Sequence, residues 1–342
     1  MSVASSLKKE EEKLVGPKQV EIQKIMKSIK LSKKTEAVLQ VEELSVSFVQ
    51  YTKGLQQKNL RVISSLNIDI HPGEVLAVVG SSGSGKSLLA HAILGILPSN
   101  ATVEGKISYK GETLTPKKQQ QLRGQEIALV PQSVNYLDPL MRVGKQVRTS
   151  VKDADPIKAQ REVFARYHLK PEVENLFPFQ LSGGMARRVL VSTAVVSGAE
   201  LIIADEPTPG MDTASVQEAI KCFRKLADDG AAVMLITHDI ETALKIADRI
   251  AVFYAGTTVE VAPVKDFKGK GEELRHPYSK ALWRALPQND FIPIKGFQPL
   301  PSALPSGCLF EPRCNLATSH CSKVQPQARI IRNGMVRCIH AT

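Results

Sequence analysis

Apolar and polar residues alternate through positions 38–75, and this period of two predicts a half-buried antiparallel β section whose last turn is Pro72-Gly73. Beyond it the pattern changes. Val75-Leu76-Ala77-Val78-Val79 is an unbroken apolar run, as are Leu201-Ile202-Ile203-Ala204 and Val233-Met234-Leu235-Ile236. Runs of this length predict strands, and helical patterns beside them, such as Leu88-Leu89-Ala90-His91-Ala92-Ile93-Leu94, place them in a mostly parallel sheet covered by helices. The fold class is therefore α/β, with its sheet expected over about 76–131 and 200–262 and a helical insert over about 132–199. Pro287, Pro293, Pro299, Pro301 and Pro305 read as an extended linker, after which the terminal segment is expected to pack as a separate lobe. Ahead of residue 38 stand a charged lead (Lys8, Lys9, Glu10, Glu11, Glu12) and then Val20, Ile22, Ile25, Met26 and Ile29, spaced for an amphipathic helix or for a solvated tail with one docked turn. No internal repeat is visible.

Chemistry gathers where the apolar runs end. Residues 80–87 (Gly80-Ser81-Ser82-Gly83-Ser84-Gly85-Lys86-Ser87) stand between strand and helix. Glycines let that backbone curl until its N–H groups face a phosphate chain, and the following helix adds the positive end of its dipole. Lys86 is placed to reach the β and γ phosphates, and Ser87 to ligate Mg2+. Asp205, at a strand end, suits a hold on Mg2+, and Glu206, just before Pro207, can polarise water. His238 ends another strand on the face where open α/β sheets bind ligands. A second anion cradle is written in Leu181-Ser182-Gly183-Gly184-Met185, where Ser182 reads as a helix N-cap and Arg187 and Arg188 add positive charge to the helix start. One chain cannot easily wrap one triphosphate with both cradles; two chains facing each other can.

Taken in order, these motifs resemble those of the nucleotide-binding subunits of ATP-binding-cassette (ABC) transporters. The Walker A loop falls at 80–87, the Q-loop at Gln132, the signature at 181–185 and Walker B at 201–205 with Glu206; the D-loop is Pro209-Gly210-Met211-Asp212 and the switch histidine His238. The resemblance covers about residues 38–262 and implies a P-loop ABC-type nucleotide-binding domain with an antiparallel β subdomain and a helical signature subdomain. It implies ATP and Mg2+ as cofactors. Phe48, Gly80, Ser81, Ser82, Gly83, Ser84, Gly85, Lys86, Ser87 and Asp212 would hold the nucleotide, with Tyr51 a rival to Phe48 for stacking on adenine. Ser182, Gly183 and Gly184 would act on the nucleotide of a facing cassette, and Ser87, Gln132 and Asp205 would hold Mg2+. Lys86, Gln132, Glu206 and His238 form the implied hydrolytic set, in which positioning and charge neutralisation do most of the catalysis. Two departures touch communication between the sites. Ala186-Arg187-Arg188 stands where this group usually has Gln between two basic residues, and Pro209-Gly210-Met211 replaces a commoner run of small residues and Leu.

Past residue 262, His276-Pro277-Tyr278-Ser279-Lys280-Ala281-Leu282 and Gly307-Cys308-Leu309-Phe310-Glu311-Pro312-Arg313-Cys314 resemble the carboxyl extension of oligopeptide, dipeptide and nickel importer ATPases. The expected division is thus a charged extension at 1–37, the nucleotide-binding domain at 38–262, and an importer-type carboxyl-terminal extension containing cysteines at 263–342. The implied function is ATP hydrolysis powering import of peptides, nickel or a metal chelate. The implied partners are a second, distinct ABC ATPase subunit, two transmembrane permease subunits and an extracellular or periplasmic substrate-binding protein. Cys308, Cys314, Cys321 and Cys338 lie in the tail; an iron–sulfur cluster of the [4Fe-4S] kind, a zinc site and four reduced thiols are the three readings.

Charge removes one alternative. The chain carries a net +11, but residues 1–34 contribute +5 and residues 291–342 another +5, leaving +1 between them. A nucleic-acid surface would be expected on the core, so no nucleic-acid partner is expected. A soluble ABC ATPase acting on DNA or the ribosome is the rival function, and tandem cassettes or long coiled-coil inserts, its usual marks, are absent from this sequence. No apolar run reaches the roughly 18 residues that span a bilayer, so attachment to the cytoplasmic face of a membrane is expected through partner subunits.

Overall fold

The computed structural model describes residues 36–51, 56–152 and 154–342; the charged lead and amphipathic helix expected before residue 36 lie outside the described residues. Strands β1 (Leu39–Tyr51) and β2 (Gln57–Ile70) pair antiparallel from Leu39 with Ile70 to Tyr51 with Gln57. The alternating pattern becomes alternating burial, with Ile63, Leu66, Ile68 and Ile70 of β2 facing inward. A turn at His71, Pro72 and Gly73 leads to β3 (Val75–Gly80), every residue of which is buried, and then to helix α1 (Lys86–Leu94).

The next strands depart from expectation. β4 (Ala101–Tyr109) and β5 (Glu112–Thr113) join the antiparallel sheet, in the order β2-β1-β4-β5, and not the parallel one. The reason is in their burial: only the last three residues of β4 are buried, whereas a central parallel strand must be apolar along its length and on both faces.

The main sheet takes β6 (Ile127–Val130), β7 (Leu201–Asp205), β8 (Ala232–Thr237), β9 (Arg249–Tyr254) and β10 (Thr257–Pro263). Between β6 and β7 lie α3 (Val143–Arg148), α4 (Pro156–Arg166) and α5 (Gly183–Val195), the expected helical insert, while α2 (Pro116–Leu122) precedes β6. Helices α6 (Thr213–Asp228) and α7 (Ile240–Ile246) flank β8. In β3 the side chains divide by parity: Val75, Ala77 and Val79 enter one apolar cluster, Leu76 and Val78 the other. The first cluster contains α5 and α6 residues, and the second includes α1 and the antiparallel sheet. At the strand's end, a Cβ on Gly80 would stand 2.5 Å from Phe253 O on β9.

The tail does not stand apart. After α8 (Pro277–Arg284) and the proline-rich stretch, β11 (Arg329–Ile331) and β12 (Gly334–Val336) extend the main sheet, giving the order β11-β12-β10-β9-β3-β8-β7-β6. Val336 pairs antiparallel with Glu260 of β10, so the segment expected as a separate lobe supplies the strand that covers this edge.

A buried ion network holds it there. Arg275, 1% exposed in its side chain, bonds Glu260 at 3.3 Å and Asp266 at 2.9 Å, and donates to the carbonyls of Ile331 and Arg332. Glu260, fully buried, also accepts from the backbone N–H groups of Arg275 and His276. Removing one member leaves the other charge buried and short of partners. Glu260→Ala should therefore cost roughly 3–5 kcal/mol, read as a lower denaturant midpoint at unchanged slope; a loss under about 1 kcal/mol would contradict this account.

Candidate active site

The parallel strands β3, β8 and β7 end in register, with Val79 beside Thr237 and Ile236 beside Asp205. The residues that follow them meet over the carboxyl edge of the sheet, the expected ligand face of an open α/β sheet. A cleft of about 600 Å3 opens there, lined by Ser82, Gly83, Gly85, Lys86, Ser87, Gln132, Glu206 and His238, with Val62, Leu88 and Pro209 at its borders. Ser81 is exposed and Ser84 is buried in the same loop.

Lys86 is buried, and its Nζ donates to Gly80 O at 2.9 Å and Ser81 O at 3.0 Å. The ammonium thus pins the curl of its own loop. Burial lowers its pKa, while Glu206 and Asp205 oppose that shift. Asp205 is 2% exposed and its pKa is raised by burial, with the Ser87 hydroxyl bonded to it. Its Oδ1 has no hydrogen-bond partner. A buried carboxylate oxygen without a partner, on a residue bonded to the Ser87 hydroxyl, is a donor set of the all-oxygen kind that suits Mg2+, and Gln132 lines the cleft that Ser87 also lines.

Glu206 is held in a left-handed backbone conformation (φ 47°), with its N–H donating to Ile236 O at 2.9 Å. For a residue other than glycine this is strained, and such strain is often found at functional sites. Its carboxylate takes a hydrogen bond from His238 Nδ1 at 2.8 Å, and because an ionised carboxylate only accepts, that nitrogen carries the proton. His238 is 66% exposed in its side chain while Glu206 is nearly buried, so the pair joins a sequestered base to a ring that a ligand or partner can reach.

Other expected residues lie elsewhere. Ser182 caps α5, accepting from Met185 N at 3.3 Å, and neither it nor Gly183 and Gly184 lines the cleft. Gly184 instead meets the D-loop, where a Cβ would come within 2.8 Å of Gly210 O. Asp212 caps α6, accepting from Ser215 N at 2.9 Å and Ser215 Oγ at 2.7 Å, which holds its carboxyl below the usual range. Phe48 is half-buried against the antiparallel core and Tyr51 is 68% exposed; neither borders the cleft.

Arg187 turns away from the signature cradle that it was expected to charge, whereas Arg188 stays beside it. Arg187 is buried and donates from Nη1 to Pro131 O at 2.7 Å, directly before Gln132, with Asp205 and Glu206 close enough to offset the lowering of its pKa by burial. Arg188 donates to the carbonyls of Gly184 and Tyr167. The helical period held the signal: Arg187 stands three, four and seven positions before buried Leu190, Val191 and Ala194.

The four tail cysteines do converge, with Cys308, Cys314, Cys321, Cys338 and His340 lining one cavity of about 10 Å3. Cys321 Sγ lies 3.4 Å from His340 Nε2, and burial pushes the Cys308 thiol up to about 11. Yet no group of three or more His, Cys, Asp or Glu among the described residues is arranged to hold a metal ion, so neither the iron–sulfur nor the zinc expectation finds a preformed site.

Comparison with known proteins decides the family. Residues 63–209 match the ABC transporter family, and residues 259–321 match the oligopeptide/dipeptide transporter carboxyl-terminal region. A putative peptide import ATP-binding protein of Brucella melitensis is 33% identical over 327 residues, 90% of this chain and 96% of that protein. The chain belongs to the ABC transporter family. Within it, this ABC protein falls among the ATP-binding subunits of oligopeptide and dipeptide importers. The dipeptide transport ATP-binding protein of Haemophilus influenzae is 34% identical over 88% of this chain and 95% of that protein, and the oligopeptide transport ATP-binding protein of Escherichia coli 31% over 85% and 89%. The fold agrees: a dimeric cassette solved in a post-hydrolysis state with ADP and Pi aligns at a TM-score of 0.58, with 24% identity, over 68% of this chain and 99% of that one. The family implies ATP and Mg2+ as cofactors and ATP hydrolysis as the activity of this ABC ATPase.

Glu206→Gln should keep nucleotide binding and lower hydrolysis by about 10²–10⁴-fold, because the side chain keeps its shape and loses its basicity. Steady-state turnover beside analogue binding on the same preparation measures this, and turnover at the wild-type rate would remove Glu206 from the base's role.

Proposed function

We propose that this chain powers peptide import, as the ATP-hydrolysing subunit bound to permease subunits at the cytoplasmic face of a membrane. The observation that carries the reading is a cleft shared by a lysine-pinned phosphate loop and a histidine-held glutamate, with the unpartnered buried carboxylate oxygen of Asp205 beside Ser87 of that loop, in a chain whose tail matches the peptide-transporter region.

Lys86 and the loop amides bind the phosphates, while Ser87, Asp205 and Gln132 hold Mg2+, whose part is to neutralise phosphate charge. Glu206 takes the proton of the attacking water, and His238 orients the carboxylate. The adenine ring is assigned to Phe48 or Tyr51 on the antiparallel sheet, and Asp212 to the face of a second cassette. Ser182, Gly183 and Gly184, lying off their own cleft, act on the nucleotide of that cassette, which is a distinct paralogue. Residues 38–262 form the nucleotide-binding domain, 1–37 an extension before it and 263–342 the importer-type tail. A substrate-binding protein outside the membrane delivers the cargo. The relatives described above carry peptide or dipeptide import in their names, which supports peptides; nickel or a metal chelate rests on the likeness of the tail alone. The same relatives disfavour a role on DNA or the ribosome.

Coexpression with candidate permease and second-cassette subunits should yield one complex whose ATP hydrolysis is stimulated by the binding protein loaded with peptide. Ser182→Arg in that complex should leave analogue binding intact and remove the stimulation. Stimulation by nickel and not by peptide would overturn the cargo, and normal stimulation of the variant would overturn the paired use of the signature.

The finer reading of the tail is an iron–sulfur cluster on Cys308, Cys314, Cys321 and Cys338, supported by their convergence on one cavity. Protein purified without oxygen should then be brown, with iron and acid-labile sulfide in equal amounts and visible absorption that falls with each Cys→Ser change. One zinc per chain, or no metal, would reject the cluster.

A further inference from the structure

The phosphate loop is gripped by the tail. Ser81 Oγ donates to Gln298 Oε1 at 2.5 Å, across 217 positions of sequence. The Ser81 hydroxyl and N–H also lie near enough to the Tyr278 phenol on α8 to oppose the rise in pKa that burial imposes on it. Neither partner is loosely placed. Tyr278 is 2% exposed and packs on Tyr254 and Phe310, with ring centroids 4.5 and 5.3 Å away. Gln298 follows a stretch of chain that Arg313 anchors, donating from Nε to Lys295 O at 2.8 Å and from Nη2 to Ile294 O at 3.3 Å. The same guanidinium donates from Nη1 to Tyr254 Oη at 3.3 Å. Arg313 stands next to Cys314, on the turn that also carries Phe310, so the cysteine-bearing turn is joined to Ser81 through the segment that ends in Gln298 and packs on Tyr278 through Phe310.

A proline-rich connection has many ways across a surface, and this one is fastened just before the point where it delivers an amide oxygen to the second residue of the phosphate loop. That residue is otherwise exposed; Lys86 of the cassette holds its carbonyl, and the tail supplies the partner of its hydroxyl. Holding the Ser81 hydroxyl restricts the loop before a nucleotide arrives, which reduces the ordering that binding must supply. By linkage, whatever the tail does to nucleotide affinity the nucleotide does in return to the tail.

We propose that Gln298 and Tyr278 are positioning residues of the nucleotide site: they preset the phosphate loop through Ser81 and carry nucleotide binding to α8 and the cysteine-bearing turn. This rests on the nucleotide reading of the cleft. Trp283, the one tryptophan of the sequence, reports on α8, where it is 8% exposed and donates from Nε1 to Gly269 O at 3.0 Å.

The test uses the full chain with AMP-PNP and Mg2+ as probe, with affinity read by calorimetry. Gln298→Ala should weaken binding about two- to tenfold, the range expected for one hydrogen bond, and Ser81→Ala should do the same. The double variant should be no weaker than either single one. Trp283 emission should change when AMP-PNP binds wild type, and that change should shrink in Gln298→Ala and in Tyr278→Phe, which keeps the ring packing. Additive losses in the double variant would overturn the proposal, as would a Trp283 signal indifferent to AMP-PNP in a wild-type chain that binds it. A wild-type chain that does not bind AMP-PNP at all would overturn the nucleotide reading itself, and this proposal with it.

Discussion

The close approach of β3 to β9 at Gly80 is the constraint on which the site depends. Only hydrogen fits where a side chain would press on Phe253 O, so the phosphate loop departs from one fixed point at the sheet's edge. Strand register carries that point to its neighbours. Because Val79 stands beside Thr237 and Ile236 beside Asp205, the residues just beyond, Gly80, His238 and Glu206, emerge close together without any long side chain bridging the gap. Displacing one strand by a residue would turn its side chains to the opposite face and pull the site apart.

Electrostatics follows from that geometry. Two carboxylates, Asp205 and Glu206, and two cations, Lys86 and Arg187, are each buried, and each carboxylate acts on each cation. Burial shifts Lys86 and Arg187 down and Asp205 up, toward their neutral forms, while their opposite charges restrain those shifts. An arrangement of this kind is tense without its ligand and suited to one that brings both anionic phosphates and a divalent cation. Arg187 adds something particular to this chain, since its guanidinium ties the backbone before Gln132 to the signature helix α5 and so links two motifs through one buried side chain.

The phosphate loop was legible because its chemistry is contiguous: eight neighbouring residues hold the glycines, the lysine and the serine in fixed order. The apolar runs of β3, β7 and β8 were legible for a similar reason, since strands buried on both faces announce themselves residue by residue. β4 was not, because a strand with a polar amino half is assigned by its partners. Nor was the contact between Ser81 and Gln298, which spans 217 positions and leaves no local pattern. Glu260 offered a hint: a lone acid between Val259 and Val261 of a strand needs a buried cation, and Arg275 is that cation.

The pairing of β12 with β10 has a consequence for how this chain is handled. The matched peptide-transporter region ends at residue 321, before β12 begins at Gly334. A version trimmed to that limit would keep the whole nucleotide cleft yet bare the backbone edge of β10, a strand buried at every residue but its last. Unpaired edges of that kind recruit other chains, so such a product would fail through self-association while its chemistry remained intact. The last residues of the chain thus guard its solubility, a duty quite separate from fuelling transport.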